Sequence, residues 1–165
     1  MNDAPILAYI ALGANLGEPQ AMVQNAIIAL DALPRTRLIR ASSLYRTAPV
    51  GLKMQPDFIN AVAAIATTLA PQDLLLALQN QEAAQGRVRS IPNAPRTLDL
   101  DLLLYGDCVM NTPTLTLPHP RMHLRAFVLS PLAEIAPADL PIPNRGSLAA
   151  WRPAVANQRV LRLTT

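Results

Sequence analysis

The chain has 165 residues and a formal net charge of +3, and this length allows one domain with a core that needs no disulfide staples. Hydrophobic residues make up 51% and charged residues 15%, which excludes a disordered chain. The longest uncharged apolar stretch, residues 61–70, is too short to span a bilayer, and the start "MNDAP" lacks a secretory signal. Cys108 is the only cysteine. We therefore expect one cytoplasmic domain over residues 1–165, with no membrane partner and no intrachain disulfide.

The first half of the chain is predicted to alternate strands and helices. Residues 6–17 predict a buried strand that runs into a turn at Gly13. An amphipathic helix over residues 18–33 follows. Residues 36–47 and 56–69 have the composition of extended segments.

The second half begins with a helix over residues 70–86, followed by a leucine-rich strand over 96–106. Gly106 and Asp107 predict a hairpin turn out of that strand. A proline-bracketed loop then leads into an apolar helix within 114–137, and a short helix and a last strand lie within 147–163. The order βαββαβ favours an α+β fold with a ferredoxin-like core, in which helices pack on a mainly antiparallel sheet.

Two aspartates interrupt the leucine-rich strand. Side chains alternate between the faces of a strand, so Asp99 and Asp101 share one face while Leu98, Leu100 and Leu102 point to the other. Two carboxylates on one face can converge on a pair of divalent cations about 3.5 to 4 Å apart. Mg²⁺ with bound phosphates suits such a pair. The alternative is an edge strand whose acidic face is solvated.

The basic residues are strongly biased, because Lys53 is the only lysine among 14 basic residues. A GC-rich coding background accounts for most of the arginine excess. Locally, however, Arg87, Arg89 and Arg96 crowd the stretch just before the two aspartates. Forked guanidinium groups suit phosphate oxygens, so the joint pattern favours a phosphate-binding metal site over a solvated acidic face.

Five short motifs carry a family resemblance. They are "GRVR" at 86–89, "PRTLDLD" at 95–101, "LPH" at 117–119 with Arg125 after it, "YRTAPVG" at 45–51 and "DFINA" at 57–61. At near-matching spacing they resemble the hydroxymethyl-dihydropterin pyrophosphokinases of the folate pathway, over about residues 8 to 137. The resemblance implies transfer of the terminal diphosphate of ATP to the hydroxymethyl group of a reduced pterin, with release of AMP. Positioning and electrostatic stabilisation would supply most of the catalysis.

The resemblance also implies roles for residues at the phosphates. Asp99 and Asp101 would hold two Mg²⁺ ions that bridge the triphosphate of the co-substrate ATP. The catalytic residues would be these two acids with Arg87 and Arg96. The ATP-binding residues would be Arg87, Arg89, Arg96, His119 and Arg125. Outside the resemblance, a lone histidine is more often a surface or satisfied polar residue, and we interpret His123 in that way.

A pterin is flat, aromatic and rich in hydrogen-bonding groups, so its site needs aromatic faces and amide partners. The residues that match the family's pterin positions are Thr47, Ala48, Val50, Phe58, Asn60 and Phe127. Phe58 and Phe127 would stack on the pterin and Asn60 would hydrogen-bond to it; the alternative is that both phenylalanines belong to the core. Residues 90–95 depart from the enterobacterial pattern, since they are shorter and lack a tryptophan.

Two other functions compete with this prediction. A D-x-D glycosyltransferase needs a larger nucleotide-binding domain than 165 residues provide. A nucleic-acid module is compatible with the isoelectric point of about 9.6. Such modules stack bases on aromatic residues of central strands, where this chain carries leucine, alanine and aspartate. We expect small-molecule partners, ATP and a reduced pterin, without nucleic acid, and a monomer.

Overall fold

The computed structural model of the chain describes residues 4–48, 56–85 and 98–163. In chain order its strands and α-helices are β1 (Ile6–Ala14), α1 (Pro19–Leu30), β2 (Thr36–Ala41), β3 (Tyr45–Thr47), β4 (Phe58–Thr67), α2 (Pro71–Gln85), β5 (Asp99–Tyr105), β6 (Met110–Asn111), β7 (Thr116–Leu117), α3 (Ala126–Ile135), β8 (Pro141–Ile142), β9 (Gly146–Ser147), α4 (Leu148–Trp151) and β10 (Leu161–Arg162). Short 3₁₀ turns cover Met122–Leu124 and Pro153–Val155. None of the helices within these ranges has the length and apolar character that a membrane crossing requires.

The main sheet has six strands, and all of its pairs are antiparallel. Strand β1 lies between β4 and β5, while β2 and β3 both pair with β4 and β10 pairs with β3. Strand β4 is almost continuously apolar and buried, as expected for a strand with both faces covered. The α+β class with a mainly antiparallel sheet and packed helices is therefore confirmed.

Both faces of the sheet are covered, which gives three layers. On β1, Ala8, Ile10, Leu12 and Ala14 pack into a core shared with α1 and α2. The alternate residue Tyr9 packs into a second core with α3 and the C-terminal segment. Because successive side chains point to opposite faces, one strand serves both cores.

The two long helices form where the sequence predicts them. Each has a proline at its start, Pro19 in α1 and Pro71 in α2, where the missing N–H would have no helical partner. On α1 the buried residues Val23, Ala26 and Leu30 follow helical spacing, which fixes the face that packs on the sheet.

Two local predictions are wrong, and a third is correct in conformation but incomplete. Strand β1 continues through Gly13 to Ala14, and the turn comes later, at Gly17 with a φ of +66°. Residues 36–47 form two strands, because the chain breaks its pairing with β4 between Ala41 and Tyr45. The strand after Gly106 does not form a hairpin with β5: β6 pairs with β7 in a separate two-stranded sheet.

A carboxylate ties α3 to the sheet beside the site. The oxygens of Glu134 accept hydrogen bonds from the backbone N–H of Ser43 at 3.0 Å, the Ser43 hydroxyl at 2.9 Å and the Tyr45 hydroxyl at 2.8 Å. Burial raises the pKa of Glu134, but these hydrogen bonds and the charge of Arg162 outweigh it and hold the pKa below its usual value. Burial, followed by the hydrogen bond to Glu134, raises the pKa of Tyr45 to about 12.

We expect Glu134→Ala to lower the free energy of unfolding by about 2 kcal/mol, because it leaves the Tyr45 hydroxyl and the Ser43 N–H without their acceptor. Urea denaturation measures this loss. Glu18→Ala is the control, since the exposed Glu18 makes no side-chain cap on α1. Equal losses in the two variants would contradict the role given to Glu134.

Candidate active site

An open cleft of about 750 Å³ lies where β1, β4 and β5 meet the segment that leads into α3. Every predicted site residue that the structure describes lines this cleft: Thr47, Ala48, Phe58, Asn60, Asp99, Asp101, His119, Arg125 and Phe127. The other predicted residues, Val50, Arg87, Arg89 and Arg96, lie outside the described residues. Residues that are up to 80 positions apart in sequence thus share one concave surface, whereas their roles stay predictions.

Strand β5 presents both acids to the cleft. Leu98, Leu100 and Leu102 are buried in the core under α1 and α2, while Asp99 is half-buried and Asp101 is exposed on the other face. The shared face predicted from strand alternation is confirmed. Among the described strands β5 is the last in the order of the sheet, as the alternative interpretation expects, but its acidic face lines a cleft.

A buried glutamate fixes the backbone between the two acids. Oε2 of Glu82, on α2, accepts a hydrogen bond of 2.8 Å from the backbone N–H of Leu100, which lies between Asp99 and Asp101. Sequence reasoning missed Glu82. Its signal was its place on the buried stripe of α2, four residues after Leu78, where a carboxylate is unusual unless it has a partner.

The floor of the cleft is formed by small residues of β1. In the sheet register, Gly13 lies between Asn60 on β4 and Asp99 on β5, and Ala11 lies beside Asp101. A Cβ on Gly13 would come within 3.0 Å of Oδ1 of Asn60. Glycine is therefore needed here for close approach by the Asn60 amide, which explains a glycine inside a central strand.

The orientation of the Asn60 amide is fixed by β3. Asn60 is buried, and its Nδ2 donates a hydrogen bond of 2.8 Å to the hydroxyl of Thr47. With the nitrogen engaged by Thr47, the carbonyl Oδ1 lies over Gly13 at the cleft. The amide is thus pre-organised on one side of the floor, opposite Asp99.

His119 is held as a neutral hydrogen-bond donor. Burial first, and then the charges of Arg125, Arg121 and Arg145, lower the pKa of His119 to about 4. The backbone N–H of Arg121 donates to His119 Nδ1 at 3.1 Å, so the proton of the neutral ring is on Nε2. The imidazole therefore offers an N–H near pH 7 without carrying a charge.

Aromatic and cationic groups also line the cleft. Phe58 and Phe127 are half-buried and line the cleft, and Phe127 also packs against the second core. The guanidinium of Arg125 lies 5.4 Å from the ring centroid of Phe127, within cation–π range. Arg121, which sequence reasoning missed, also lines the cleft and is exposed.

His123 is not simply a surface residue. Its ring packs edge-on against Trp151, with the ring centroids 4.6 Å apart, and it is half-buried. A single sequence could not reveal this contact, because Trp151 is 28 positions further along the chain.

The two carboxylates suit a cation that takes its remaining ligands from a substrate and from water. Among the described residues, no cluster of three or more His, Cys, Asp or Glu side chains could enclose a metal ion. Two carboxylates on an open face fit Mg²⁺, which usually takes one or two carboxylates and completes its octahedron with water and phosphate oxygens.

Comparisons with known proteins agree on one family. The family model described as 7,8-dihydro-6-hydroxymethylpterin-pyrophosphokinase (HPPK) matches residues 9–137. The 2-amino-4-hydroxy-6-hydroxymethyldihydropteridine pyrophosphokinase of Pseudomonas aeruginosa is 53% identical over 136 residues, which are 82% of this chain and 83% of that protein. The protein of the same name from Haemophilus influenzae is 45% identical over 158 residues, 96% of this chain and 98% of that one.

A solved structure supports the same architecture. The crystal structure of Plasmodium falciparum HPPK-DHPS wild type with SDX-DHP matches with a TM-score of 0.71 at 12% identity and covers 91% of this chain. This chain spans only 44% of the length of that longer chain. At this identity the match shows a shared fold.

We expect the His119 ring to titrate with a midpoint near its lowered pKa of about 4 and to keep its proton on Nε2 above that pH. The lowered pKa means that the unfolded state binds more protons between pH 4 and the ordinary value of about 6.5. The contribution of His119 to stability is therefore full above pH 6.5 and declines as the pH falls towards 4. Two-dimensional NMR of the imidazole nitrogens measures the midpoint. A midpoint near 6.5 would contradict the geometry described here.

Proposed function

Because the chain belongs to the 7,8-dihydro-6-hydroxymethylpterin-pyrophosphokinase family, it is a pyrophosphokinase of folate biosynthesis, and we propose that its reaction takes place in the cleft described above. The reaction transfers the terminal diphosphate of ATP to the hydroxymethyl group of 6-hydroxymethyl-7,8-dihydropterin. The hydroxymethyl oxygen forms a bond to the β-phosphorus, the bond from that phosphorus to the α,β-bridging oxygen breaks, AMP leaves and the hydroxyl proton is released. The observation that carries the proposal is the convergence of acids, a neutral histidine, an amide and aromatic rings on one surface.

In this proposal Asp99 and Asp101 would hold two Mg²⁺ ions that also bind the triphosphate of ATP. Bound Mg²⁺ would neutralise charge on the phosphate oxygens. The carboxylates project from one strand face, and Glu82 fixes the backbone between them, so the acids need little reorganisation when the nucleotide arrives.

His119 and Arg125 bind the nucleotide in this proposal. An Nε2–H donor suits phosphate or ribose oxygens, and its neutral state avoids repulsion from Arg121 and Arg125 nearby. The lowered pKa means that the ring acts as a neutral donor near pH 7. Arg87, Arg89 and Arg96 remain predicted phosphate ligands, with Arg87 and Arg96 acting on the migrating diphosphate.

The pterin site lies on the β4 side of the floor in this proposal. The Asn60 amide, oriented by Thr47, hydrogen-bonds the pterin edge, and Phe58 and Phe127 supply the aromatic faces. Ala48 and Val50 complete the site as predicted from the family pattern. With the acids on β5 and the amide on β4, the two substrates meet above Gly13.

We infer further that the core is ferredoxin-like and that residues 1–165 form one domain. The support is the strand order: with β2 and β3 taken as one interrupted strand beside β4, the core elements follow βαββαβ, and β1 is central. Pairing of β10 with β3 joins the C-terminal segment to the same sheet.

We expect Asp99→Asn and Asp101→Asn each to lower turnover by at least about a hundredfold, because each removes one charged metal ligand. The free energy of unfolding should stay nearly unchanged, since both side chains face the cleft. Asp107→Asn is the matched control, an exposed aspartate in the turn directly after β5. Steady-state kinetics with Mg²⁺ and ATP test the prediction, and full activity in either variant would remove the metal-binding role.

We expect Asn60→Ala to weaken pterin binding about tenfold while ATP affinity stays within about twofold, because the amide contacts the pterin alone. Gly13→Ala should have the same selectivity, since its Cβ would displace Oδ1 of Asn60. In an Asn60→Ala background Gly13→Ala should have little further effect. Calorimetry with each ligand measures both affinities, and equal losses for the two ligands would argue against this placement.

A further inference from the structure

The C-terminal segment, residues 138–163, lies beyond the family match at 9–137, yet it reaches the cleft. Gln158 is one of the residues that line the cleft. Two polar side chains of this segment contact backbone atoms next to the proposed nucleotide-binding residues.

The first contact involves Arg145 and His119. Nη1 of Arg145 donates a hydrogen bond of 2.7 Å to the backbone oxygen of His119. The backbone N–H of His119 in turn donates to the carbonyl of Leu103 at 2.9 Å. Both backbone polar groups of His119 are therefore hydrogen-bonded, which fixes the backbone position that carries the imidazole.

Arg145 is itself held in a tight turn between β8 and β9. Its neighbours Asn144 and Gly146 have φ angles of +64° and +88°, which only residues such as asparagine and glycine adopt readily. The backbone oxygen of Arg145 accepts the indole N–H of Trp151 at 2.5 Å, and Trp151 packs on His123. The arginine thus extends towards His119 from an anchored base.

The second contact involves Gln158 and the residues on either side of Arg125. Oε1 of Gln158 accepts a hydrogen bond of 2.8 Å from the backbone N–H of Ala126, and Nε2 donates one of 2.9 Å to the carbonyl of Leu124. A single side-chain amide therefore spans Arg125. It also satisfies the N–H of Ala126, which begins α3 and has no partner within the helix.

We propose that the C-terminal segment is a brace for the nucleotide side of the cleft, in which Arg145 positions His119 and Gln158 positions Arg125. The inference rests on the proposed function, because it needs His119 and Arg125 to bind ATP. Within the described part of the chain, neither brace residue makes a side-chain hydrogen bond to Asn60 or Thr47, which hold each other on the pterin side. Ala126, however, directly precedes Phe127. Loss of the brace should therefore weaken nucleotide binding more than pterin binding.

The exposure of the two side chains distinguishes this positioning role from a purely structural one. Gln158 is exposed and Arg145 is half-buried, so neither contributes much apolar area to the core. Hydrogen bonds at such sites add little to global stability, yet they restrict the two backbone positions that carry the ligand-binding side chains.

The test measures the affinity of a non-hydrolysable ATP analogue with Mg²⁺ by calorimetry, and then the affinity of the pterin at saturating analogue. We expect Arg145→Ala to weaken the affinity for the analogue about tenfold and Gln158→Ala to weaken it about fivefold. The affinity for the pterin should stay within about twofold of that of the parent protein. Arg145→Lys should recover part of the loss, because an ammonium still donates to a carbonyl. Arg159→Ala is the control, as an exposed arginine directly after Gln158, and should bind both ligands normally.

A double-mutant cycle shows whether Arg145 acts through His119. In a His119→Ala background, Arg145→Ala should cause no further loss of analogue affinity. The brace would be overturned by an additive loss of analogue affinity in the double variant or by an equal loss of affinity for both ligands. A loss of affinity that follows the loss in free energy of unfolding would also overturn it. Normal analogue affinity in both brace variants, with clear losses in His119→Ala and Arg125→Ala, would overturn the brace alone. Normal analogue affinity in His119→Ala and Arg125→Ala would contradict the proposed role of these two residues in nucleotide binding, and with it the brace.

Discussion

The arrangement of the cleft depends on the central position of β1 and on the missing side chain at Gly13. Because β1 pairs with β4 on one side and β5 on the other, Asn60, Gly13 and Asp99 lie in one row across the sheet. Adjacent strands are about 4.8 Å apart, so the backbones of Asn60 and Asp99 lie about 10 Å from each other across the glycine. Any larger residue at position 13 would fill the space and push the Asn60 amide aside.

Charge is divided across this floor in a way that suits a polyanionic substrate. Strand β5 contributes two carboxylates, while the segment before α3 contributes Arg121 and Arg125. His119 lies near these arginines, and burial, followed by their charges, lowers its pKa and keeps the ring neutral. In the proposed function, a nucleotide triphosphate bound with Mg²⁺ would contact the acids through the cation and the arginines through its own oxygens. In the proposed function the low pKa of His119 limits repulsion at this place, because a protonated ring would add a positive charge beside Arg121 and Arg125.

Some of this could be predicted from the sequence because it depends on local periodicity. The alternation of leucine and aspartate in β5 is sufficient to place Asp99 and Asp101 on one face, and helical spacing is sufficient for α1 and α2. Other features depend on distant partners. Gly13 suggested a turn, since its pairing with Asn60, 47 residues later, cannot be inferred from its neighbours. Likewise Gly106 marks a turn, but only tertiary contacts decide that the next strand pairs with β7.

The same reasoning explains why the residues that support the site are harder to find than the residues that form it. Glu82, Arg145 and Gln158 all act on backbone N–H or carbonyl groups, at Leu100, His119, Leu124 and Ala126. Every residue except proline offers both groups, so such a contact places no demand on the type of residue that it supports. A sequence pattern records residue types and therefore captures the ligand-binding side chains, whereas their supports are specified only by the geometry of the fold. Two of the three supports come from residues beyond the matched region, so the candidate cleft extends further along the chain than its motifs do.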